Sequence, residues 1–478
     1  MYRRIVPLLL ALVTTVALGQ GDPLGAWRGA LGPGLIDLEI RVAITVDEAG
    51  TGLSGTIDIP AQGLVGYPLA EFVFDGTEIA FVMPDVPGDP AFAGSVTADR
   101  IEGTFTQGGQ PLPFVLERDV EPTALRPQEP VPPFPYLEEE VSFASGDVTL
   151  AGTLTLPPGE ARVPALLLIT GSGAQDRNQE ILGHKPFLVI ADHLTRAGYA
   201  VLRLDDRGVG GSTGSDADAA FDDLVGDVLA GVDLLRAHPR VDAARVGLLG
   251  HSQGGFLAPV AALESDGNVA FTILLAAPAL DGFSVLVAQN ERILEVSMRA
   301  ADPTLSDEVI AEVIADQLAF LEALYERFLA EDVPGAQAVV RDRIESEMAE
   351  MPDEQRMEGE ALESFIALQQ EGVTSPAFRS FVTFDPQPYL RRLTIPTLAI
   401  FGDLDLQVPS DQSEGPMREA LAAAGNTSAG VVTFSGLNHL LQPARTGGVE
   451  EYGAIEITID PIVLETITRW LRAWFPVR

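Results

Sequence analysis

The sequence predicts an α/β protein, a mostly parallel sheet with helices on both faces, preceded by a small all-β domain. Residues 24–118 contain short strands with period-two alternation and no helical periodicity. Residues 119–136 are rich in proline, which is typical of a stiff extended linker. From residue 137 to residue 478, apolar strands alternate with helices, and this pattern predicts a parallel sheet covered by helices.

Length, charge and cysteine content exclude several classes of protein. The chain has 478 residues, too many for one ordinary hydrophobic core, so we expect two or three domains. The formal net charge of −39 argues against nucleic acid and anionic membranes as partners, because both select clustered Lys and Arg. The chain contains no cysteine, which excludes disulfides, thiolate metal sites and a cysteine nucleophile.

The N-terminus predicts a secretory signal over residues 1–19. Arg3 and Arg4 form a short basic region, residues 5–18 are apolar but short for a bilayer span, and Ala17 and Gly19 have cleavage-site spacing. An uncleaved membrane anchor is the alternative. We expect cleavage after Gly19, export to the periplasm or the extracellular space, and no stable membrane insertion afterwards.

The clearest strand pattern of the β domain lies in residues 35–46. Apolar residues occupy every second position there: Ile36, Leu38, Ile40, Val42, Ile44 and Val46. Polar residues between them predict a strand with one wet face. Similar runs follow up to residue 118, and they leave an antiparallel barrel and a sandwich as open alternatives.

The second part of the chain contains the elements of a parallel sheet. They are predicted at these residues: a hairpin at 139–156, strands at 163–170, 199–206, 245–250, 269–277, 397–403 and 430–436, and helices at 185–197, 221–238, from Gln253, and at 461–474. An acid-rich segment with helical spacing, about residues 281–381, interrupts this series. It predicts an insertion of several helices between two sheet strands.

The segment VGLLGHSQGGFLAP places Ser252 in the pattern G-x-S-x-G between a buried strand and a helix. Such a turn is sharp, and Gly250 and Gly254 are expected because a Cβ at either position would collide with backbone. The turn lifts the hydroxyl of Ser252 to a helix N-terminus, where N–H groups favour developing negative charge. We predict a nucleophile, with a plain glycine-flanked turn as the alternative.

A serine nucleophile needs a base, and in this type of fold the chain order is serine, acid, histidine. His439 is the histidine that follows Ser252. The loop GDLDLQVP offers Asp403 and Asp405, and we favour Asp405 because it lies deeper in the loop. His251 occupies the variable position of the motif and is expected to point away. Structural roles are assigned to the remaining histidines: His184, His193 and His238.

Stabilising an oxyanion requires two backbone donors. One predicted donor is the N–H of Gln253, directly after the nucleophile. The other is predicted from the loop GSGAQDRN, with Ser172 favoured and Gly173 second. A simple Gly-Ser-Gly turn is the alternative for this loop.

With these motifs in place, the chain resembles the α/β-hydrolase superfamily, and more closely the secreted bacterial esterases related to serine aminopeptidases and dienelactone hydrolases. The resemblance is carried by LLITGSGAQDRN, GHKPFLVIADHLTRAGYAVLRLDDRGVGGSTG, GLLGHSQGG, FGDLDLQVP and GLNHLLQPARTG. It implies Ser252, Asp405 and His439 as a catalytic triad, in agreement with the order argument.

The resemblance has further implications. DDRGVGGS is implied to be a structural turn in which Asp206 and Arg207 brace neighbouring loops. The helical insertion corresponds to a cap over the site. The N-terminal β domain resembles additions in this esterase group.

The expected activity is hydrolysis of small or medium carboxylic esters through an acyl-enzyme (EC 3.1.1 class), with no metal and no organic cofactor. A serine aminopeptidase-like peptidase is one alternative, and it requires a cap carboxylate to bind a free ammonium group. A binding module with a vestigial hydrolase domain is the other. The expected partner is a small-molecule ester, the β domain is a candidate for contact with substrate or envelope material, and apolar stripes in the cap are compatible with a homodimer.

Overall fold

The computed structural model describes residues 25–32, 38–46, 53–59, 62, 64–74, 78–84, 86–96, 100–118, 126–351 and 356–477. The predicted signal segment and residues 119–125 of the predicted linker lie outside these ranges. The chain divides into two compact units. The smaller unit holds the N-terminal strands with residues 181–183 and 342–369, and the larger unit holds the remainder. Among the described helices, none is long and apolar enough to cross a bilayer.

The N-terminal strands form a closed antiparallel barrel, which settles the choice between barrel and sandwich. Each strand pairs with the next one in the chain, and the first pairs with the last. The strands are β1 Gly25–Leu31, β2 Leu38–Val46, β3 Leu53–Ile59, β4 Leu64–Phe74, β5 Glu78–Val82, β6 Ala91–Val96, β7 Arg100–Gln107 and β8 Gln110–Arg118. Closure satisfies the hydrogen-bonding groups that an open sheet would expose at its edges.

Apolar side chains fill the barrel interior. On β2, the alternating residues Ile40, Val42 and Ile44 are at most 2% exposed, as the period-two pattern predicts. Phe81 and Phe92 stack inside with their ring centroids 4.8 Å apart. The interior is therefore a packed hydrophobic core.

The larger unit is built on an eight-stranded sheet in the order β9-β10-β12-β11-β13-β14-β15-β16. Its strands are β9 Leu137–Ser145, β10 Val148–Leu156, β11 Val163–Ile169, β12 Ala200–Leu204, β13 Val241–His251, β14 Phe271–Leu275, β15 Thr397–Gly402 and β16 Ala429–Phe434. The β9–β10 hairpin is antiparallel and joins β12 in antiparallel pairing, whereas the neighbours from β12 to β16 are parallel.

The described part of the chain has the helices α1 Pro186–Arg196, α2 Phe221–Ala237, α3 Gly254–Glu264, α4 Gly282–Ala301, α5 Asp307–Leu329, α6 Val333–Glu350, α7 Gly359–Thr374, α8 Pro376–Thr383, α9 Gln387–Leu390, α10 Ser410–Ala423 and α11 Pro461–Trp474, with a 3-10 helix at Val449–Ala454. Helices α1 and α11 pack on one face of the sheet, and α2 and α3 pack on the other. All of β11 is buried, with Leu167 in the core under α2 and α3 and Leu166 in the core under α1 and α11. The continuous apolar strand in the sequence is therefore explained by burial on two faces.

The acid-rich insertion is helical, as the sequence predicts. Helices α4 to α8 lie in the chain between the parallel neighbours β14 and β15. The N-cap of α4 is Asp281 and that of α5 is Ser306, and each side chain accepts a hydrogen bond from a first-turn N–H group. The long connection thus carries its own secondary structure.

The proline-rich segment from residue 126 to residue 136 packs on the larger unit. The guanidinium of Arg126 donates to the carbonyl oxygens of Gly453 and Ile455, at 2.9 and 2.8 Å. The amide oxygen of Gln128 accepts hydrogen bonds from the N–H groups of Thr458 and Ile459. These bonds hold the described part of the segment against the C-terminal region of the chain.

Candidate active site

Ser252 lies on the sharp turn between β13 and α3. Its backbone has φ of +52°, in the left-handed region that side chains other than glycine seldom adopt. The N–H of Ser252 donates to the carbonyl of Leu275 at 2.9 Å, and its own carbonyl accepts from Gly255 N–H at 2.8 Å. Strain of this kind is typical of a nucleophile turn, where it presents the side chain above the sheet.

Glycines make the turn sterically feasible. A Cβ on Gly250 would lie 2.1 Å from the carbonyl oxygen of Gly254, and a Cβ on Gly254 would lie 2.3 Å from the carbonyl oxygen of Ile169. Gly255 is also required, since its Cβ would lie 2.2 Å from that of Ala277. Gly255 is not among the residues predicted for the turn from the sequence, although the Gly-Gly pair after Gln253 was the available signal.

The structure places Asp405 and His439 in direct contact. Asp405 follows β15, His439 follows β16, and Asp405 Oδ2 lies 2.8 Å from His439 Nδ1. Both residues are at most 4% exposed. The other carboxylate oxygen, Oδ1, accepts hydrogen bonds from the N–H groups of Gln407 and Val408, each at 2.8 Å. The acid is therefore fixed from both sides, and its partner ring is oriented with Nδ1 toward the carboxylate.

Asp403, the alternative acid, forms hydrogen bonds within a turn and not with His439. Its carboxylate accepts a hydrogen bond from the hydroxyl of Ser435 at 2.7 Å and another from the N–H of Gly436 at 2.6 Å. These bonds close the turn after β16. Of the two candidate acids, the structure thus brings Asp405 to the histidine.

The loop after β11 lies directly against Ser252. A Cβ placed on Gly171 would be 3.4 Å from Ser252 Cβ. Ser172 is exposed, and Gly173 has φ of +84°. Within the described ranges, the backbone N–H groups of Gln253, Ser172 and Gly173 have no hydrogen-bond partner in the protein. Donors on both sides of the serine therefore remain open to a bound group.

Asp206 braces this loop at both of its ends. Its carboxylate accepts from the hydroxyl of Thr170 at 2.8 and 2.9 Å and from the N–H of Gln175 at 2.9 Å. Its own N–H donates to the carbonyl of Gln175 at 3.0 Å. Burial, with a further contribution from nearby Asp216, raises the pKa of Asp206 well above its usual range. A cavity of about 60 Å³ beside these carboxyls is also lined by Gln253.

Arg207 and its neighbour Asp205 tie the same turn to other elements. Arg207 pairs with Asp227 of α2 through two hydrogen bonds, at 2.6 and 2.9 Å. Asp205 forms a bidentate ion pair with Arg177, at 3.0 and 2.7 Å. The turn after β12 therefore has the bracing role that the resemblance implies.

His251 does not point away from the site, contrary to the sequence-based expectation. Its ring lies against that of His439, with centroids 4.8 Å apart, and its Nε2 is 2.9 Å from the carbonyl oxygen of His439. Burial lowers the pKa of His251 to about 3. The variable position of the motif is therefore occupied by a neutral histidine in contact with the candidate base.

The other three histidines lie in structural settings. His184 is fully buried, and its ring nitrogens contact Thr458 Oγ1 at 2.9 Å and the carbonyl oxygen of Tyr452 at 2.8 Å. Burial lowers its pKa to about 4. His193 and His238 contact Thr468 and Glu139, respectively. Across the described residues there is no cluster of His, Cys, Asp and Glu that could hold a metal ion.

Comparison with known proteins gives related hydrolases. The family described as serine aminopeptidase, S33, matches residues 185–340. Esterase EstD from Thermotoga maritima is 28% identical over 339 residues, which are 70% of this chain and 69% of EstD. The Pyrococcus furiosus esterase Pf2001 covers 71% of this chain and 92% of its own, with 15% identity and a TM-score of 0.44. Dienelactone hydrolase from Anabaena variabilis covers 71% and 99%, with 17% identity and a TM-score of 0.37.

The strand order, the serine turn and the similarity to EstD point in one direction. A central parallel sheet with an antiparallel hairpin at one edge carries the serine directly after β13, in the middle of the sheet. Together with the family match and EstD, this supports an enzyme of the carboxylesterase type on the α/β-hydrolase fold.

Proposed function

We propose that this protein is a serine carboxylic-ester hydrolase in which Ser252, His439 and Asp405 act as nucleophile, base and orienting acid. One observation carries the proposal. A serine in a left-handed turn at a helix N-terminus lies next to His251, which contacts His439, and His439 is bonded to Asp405. The order along the chain is serine, acid, histidine, as this fold requires.

The first half of the reaction forms an acyl-enzyme. His439 Nδ1 carries a proton and donates a hydrogen bond to Asp405. The lone pair on Nε2 is therefore available to accept the proton of Ser252. The serine oxygen attacks the ester carbonyl, and the oxyanion is stabilised by the N–H groups of Gln253 and Ser172, with Gly173 as the second candidate donor. Removing one such donor costs about 10²- to 10³-fold in turnover.

Protonated His439 gives its proton to the departing alcohol as the carbon–oxygen bond breaks, and this step completes the acyl-enzyme. The second half of the reaction hydrolyses the acyl-enzyme. His439 then takes a proton from water, the water oxygen attacks the acyl group, and the proton returns to Ser252 as the acid leaves. Asp405 stabilises the imidazolium form in both halves. None of these steps calls on a metal or an organic cofactor.

The proposal extends to where the enzyme works and what it meets. We propose export through residues 1–19, a small-molecule ester as partner, and a helical insertion that covers the site as a cap. The proposal also includes contact of the β domain with substrate or envelope material. It includes a homodimer formed through the cap as well. Cell fractionation tests export, and protein found only in the cytoplasm contradicts it. The mass of the N-terminus of exported protein tests cleavage after Gly19, which an intact Met1 contradicts.

A peptidase on the same scaffold is the second candidate, and the match to a family described as serine aminopeptidase favours it. The triad chemistry is shared, so the difference lies in the leaving group and in a carboxylate that binds a free ammonium group. Activity on aminoacyl amides therefore separates the two candidates.

The test is a substrate panel on purified mature protein and its Ser252→Ala variant. p-Nitrophenyl esters from acetate to palmitate are compared with aminoacyl p-nitroanilides. We expect ester turnover that the variant loses, and the best chain length measures the pocket. Preferential anilide turnover would establish the peptidase, and a folded protein that neither turns over any substrate nor reacts with a fluorophosphonate would refute the proposal.

A further inference from the structure

The contact between His251 and the candidate base has a defined proton arrangement. Because the carbonyl oxygen of His439 can only accept, the Nε2 of His251 that lies 2.9 Å away must carry the proton. The Nδ1 of the neutral ring is then an acceptor, and the amide nitrogen of Gln179 lies 2.7 Å from it. A directed chain of two hydrogen bonds thus runs from Gln179 through His251 to the backbone of His439.

The conformation in which Gln179 donates this hydrogen bond is energetically unfavourable for its own backbone and side chain. It is 3% exposed, its backbone has φ of +54°, and its amide oxygen has no hydrogen-bond partner in the described part of the chain. Turning the amide over would place its oxygen against the lone pair of His251 Nδ1, so the hydrogen bond to His251 dictates the orientation. Left-handed backbone and unpaired buried polar atoms are costly, and both features concentrate at functional sites.

The surroundings offer water few polar partners with which to replace these bonds. A cavity of about 10 Å³ lies beside Gln179 and His251, at the lower limit of the about 10–15 Å³ that a single water needs. The rest of its lining is apolar: Pro186, Phe187, Ile190, Leu275, Leu440, Leu441 and Ile459. A water bound there would find few polar partners, so it would be a poor substitute for a lost donor at His251.

We propose that His251, oriented by Gln179, is a positioning residue that fixes the catalytic histidine relative to the nucleophile, an inference that rests on the proposed function. Asp405 sets the tautomer and rotation of the His439 ring through Nδ1. His251 instead holds the backbone of His439, and it is covalently adjacent to Ser252. One side-chain-to-backbone bond thus couples the nucleophile turn to the loop that carries the base.

Two substitutions at the same position separate this role from general packing. In His251→Gln, the side-chain amide nitrogen occupies the place of Nε2 and keeps a donor for the carbonyl of His439. In His251→Asn, the amide group reaches only the place of Nδ1 and leaves the carbonyl without its donor. We expect kcat of H251N to fall about 10²-fold, the scale of a 1 Å misplacement in a catalytic site, with KM within about twofold of the wild-type value. H251Q retains most of the wild-type kcat.

His193 supplies the matched control. It is a partly buried histidine on α1 bonded to the hydroxyl of Thr468 at 2.9 Å, and it belongs to no part of the proposed site. His193→Asn and His193→Gln are expected to keep the wild-type kcat, and thermal unfolding midpoints establish that every variant is folded. Should H251N fail to fold, Gln179→Leu takes its place, because it leaves His251 intact but without its orienting donor, and its expected loss in kcat is about tenfold.

The outcomes distinguish this inference from the proposed function. Equal kcat values in folded H251N and H251Q overturn the positioning role, as does a Q179L variant with wild-type kcat when H251N is unfolded. Loss through KM instead of kcat overturns it as well. A wild-type protein without ester turnover and without fluorophosphonate labelling refutes the proposed function itself.

Discussion

At the scale of single residues, two carboxylates two positions apart in one loop have different environments. Asp405 is buried and bonded to His439, whereas Asp403 accepts hydrogen bonds from a serine hydroxyl and a backbone N–H group in a turn. Chemistry and chain position are nearly the same for both, so the differences in burial and in hydrogen-bond partners separate their roles.

Asp405→Asn and Asp403→Asn form a matched pair of variants. In D405N the amide can present a donor to His439 and favour the wrong tautomer, so we expect kcat to fall about 10⁴-fold. D403N removes one charge from a turn, and its kcat is expected to stay within about threefold of the wild type. The kcat on the best p-nitrophenyl ester measures both, and a larger loss in D403N would contradict the assignment of the acid.

The low pKa values of the buried His184 and His251 make the free energy of unfolding depend on pH. An unfolded histidine titrates at about 6.5, whereas burial lowers the folded pKa of His184 to about 4 and that of His251 to about 3. Below pH 6.5 the unfolded state therefore binds protons that the folded state does not. The free energy of unfolding falls as pH falls through this window, by about 1.4 kcal/mol per pH unit for each histidine.

Urea unfolding of the wild type and H251Q between pH 6 and pH 4.5 tests this effect. The raised pKa of Asp206 acts in the opposite sense, so the difference between the two proteins is the quantity to compare. We expect the wild type to lose stability more steeply by about 1.4 kcal/mol per pH unit, since glutamine does not titrate. Parallel slopes would show that His251 is protonated in the folded protein.

At the scale of secondary-structure elements, the β13–α3 turn depends on glycine because backbone from β11 approaches it closely. Gly254→Ala would place a methyl group 2.3 Å from the carbonyl oxygen of Ile169. We expect this variant to lose at least about 10²-fold in kcat, because the turn must shift to relieve the overlap.

Gly226 of α2 is the control for that substitution. A Cβ there has no heavy atom of another element within 4 Å, and alanine is the better helix former. Gly226→Ala is therefore expected to keep the wild-type kcat and to raise the free energy of unfolding by up to about 1 kcal/mol in urea titrations. Similar losses of activity in both variants would contradict the steric explanation.

The elements also show what sequence patterns can and cannot predict. The final helix was expected at residues 461–474 and is found at Pro461–Trp474, since its apolar spacing and the proline at its start are local signals. The barrel needed the pairing of β1 with β8, which alternation along each strand does not encode. Long-range pairing thus decided what local periodicity left open.

Within the candidate site, the same division applies. The serine turn and the order of its partners follow from local motifs, and they led to Ser252 and His439. The contact of His251 with a loop 188 residues further along depends on how that loop returns to the sheet, and no local pattern specifies it. The orientation of the Gln179 amide could not be predicted from the sequence either. It depends on the tautomer of His251, which is set by the same long-range contact.

At the scale of the whole molecule, the net charge of −39 creates repulsion that the fold must tolerate. Acidic residues outnumber basic ones 69 to 30. Even if every basic residue paired with one carboxylate, a large excess of negative charge would remain. Salt shortens the range of this repulsion, with a Debye length of about 10 Å at 0.1 M. Stability should therefore rise with moderate ionic strength.

Thermal unfolding at pH 7.5 in sodium chloride from about 0.02 M to about 0.5 M tests this expectation. We expect the midpoint to rise by several degrees at this pH and to respond much less near the sequence pI of about 4.3, where the net charge vanishes. A midpoint that falls with salt at pH 7.5 would show that attractive ion pairs outweigh the repulsion.

The closed barrel also bears on the order in which the chain matures during synthesis. All strands of the barrel lie within residues 25–118. The sheet is complete only when β15 and β16 have been synthesised, and β15 begins more than 100 residues after the end of β14. Domains that emerge first generally fold first. A nascent chain stalled after α1 should therefore already contain a protease-resistant barrel, at a stage when the codons for Asp405 and His439 of the proposed triad have not yet been translated.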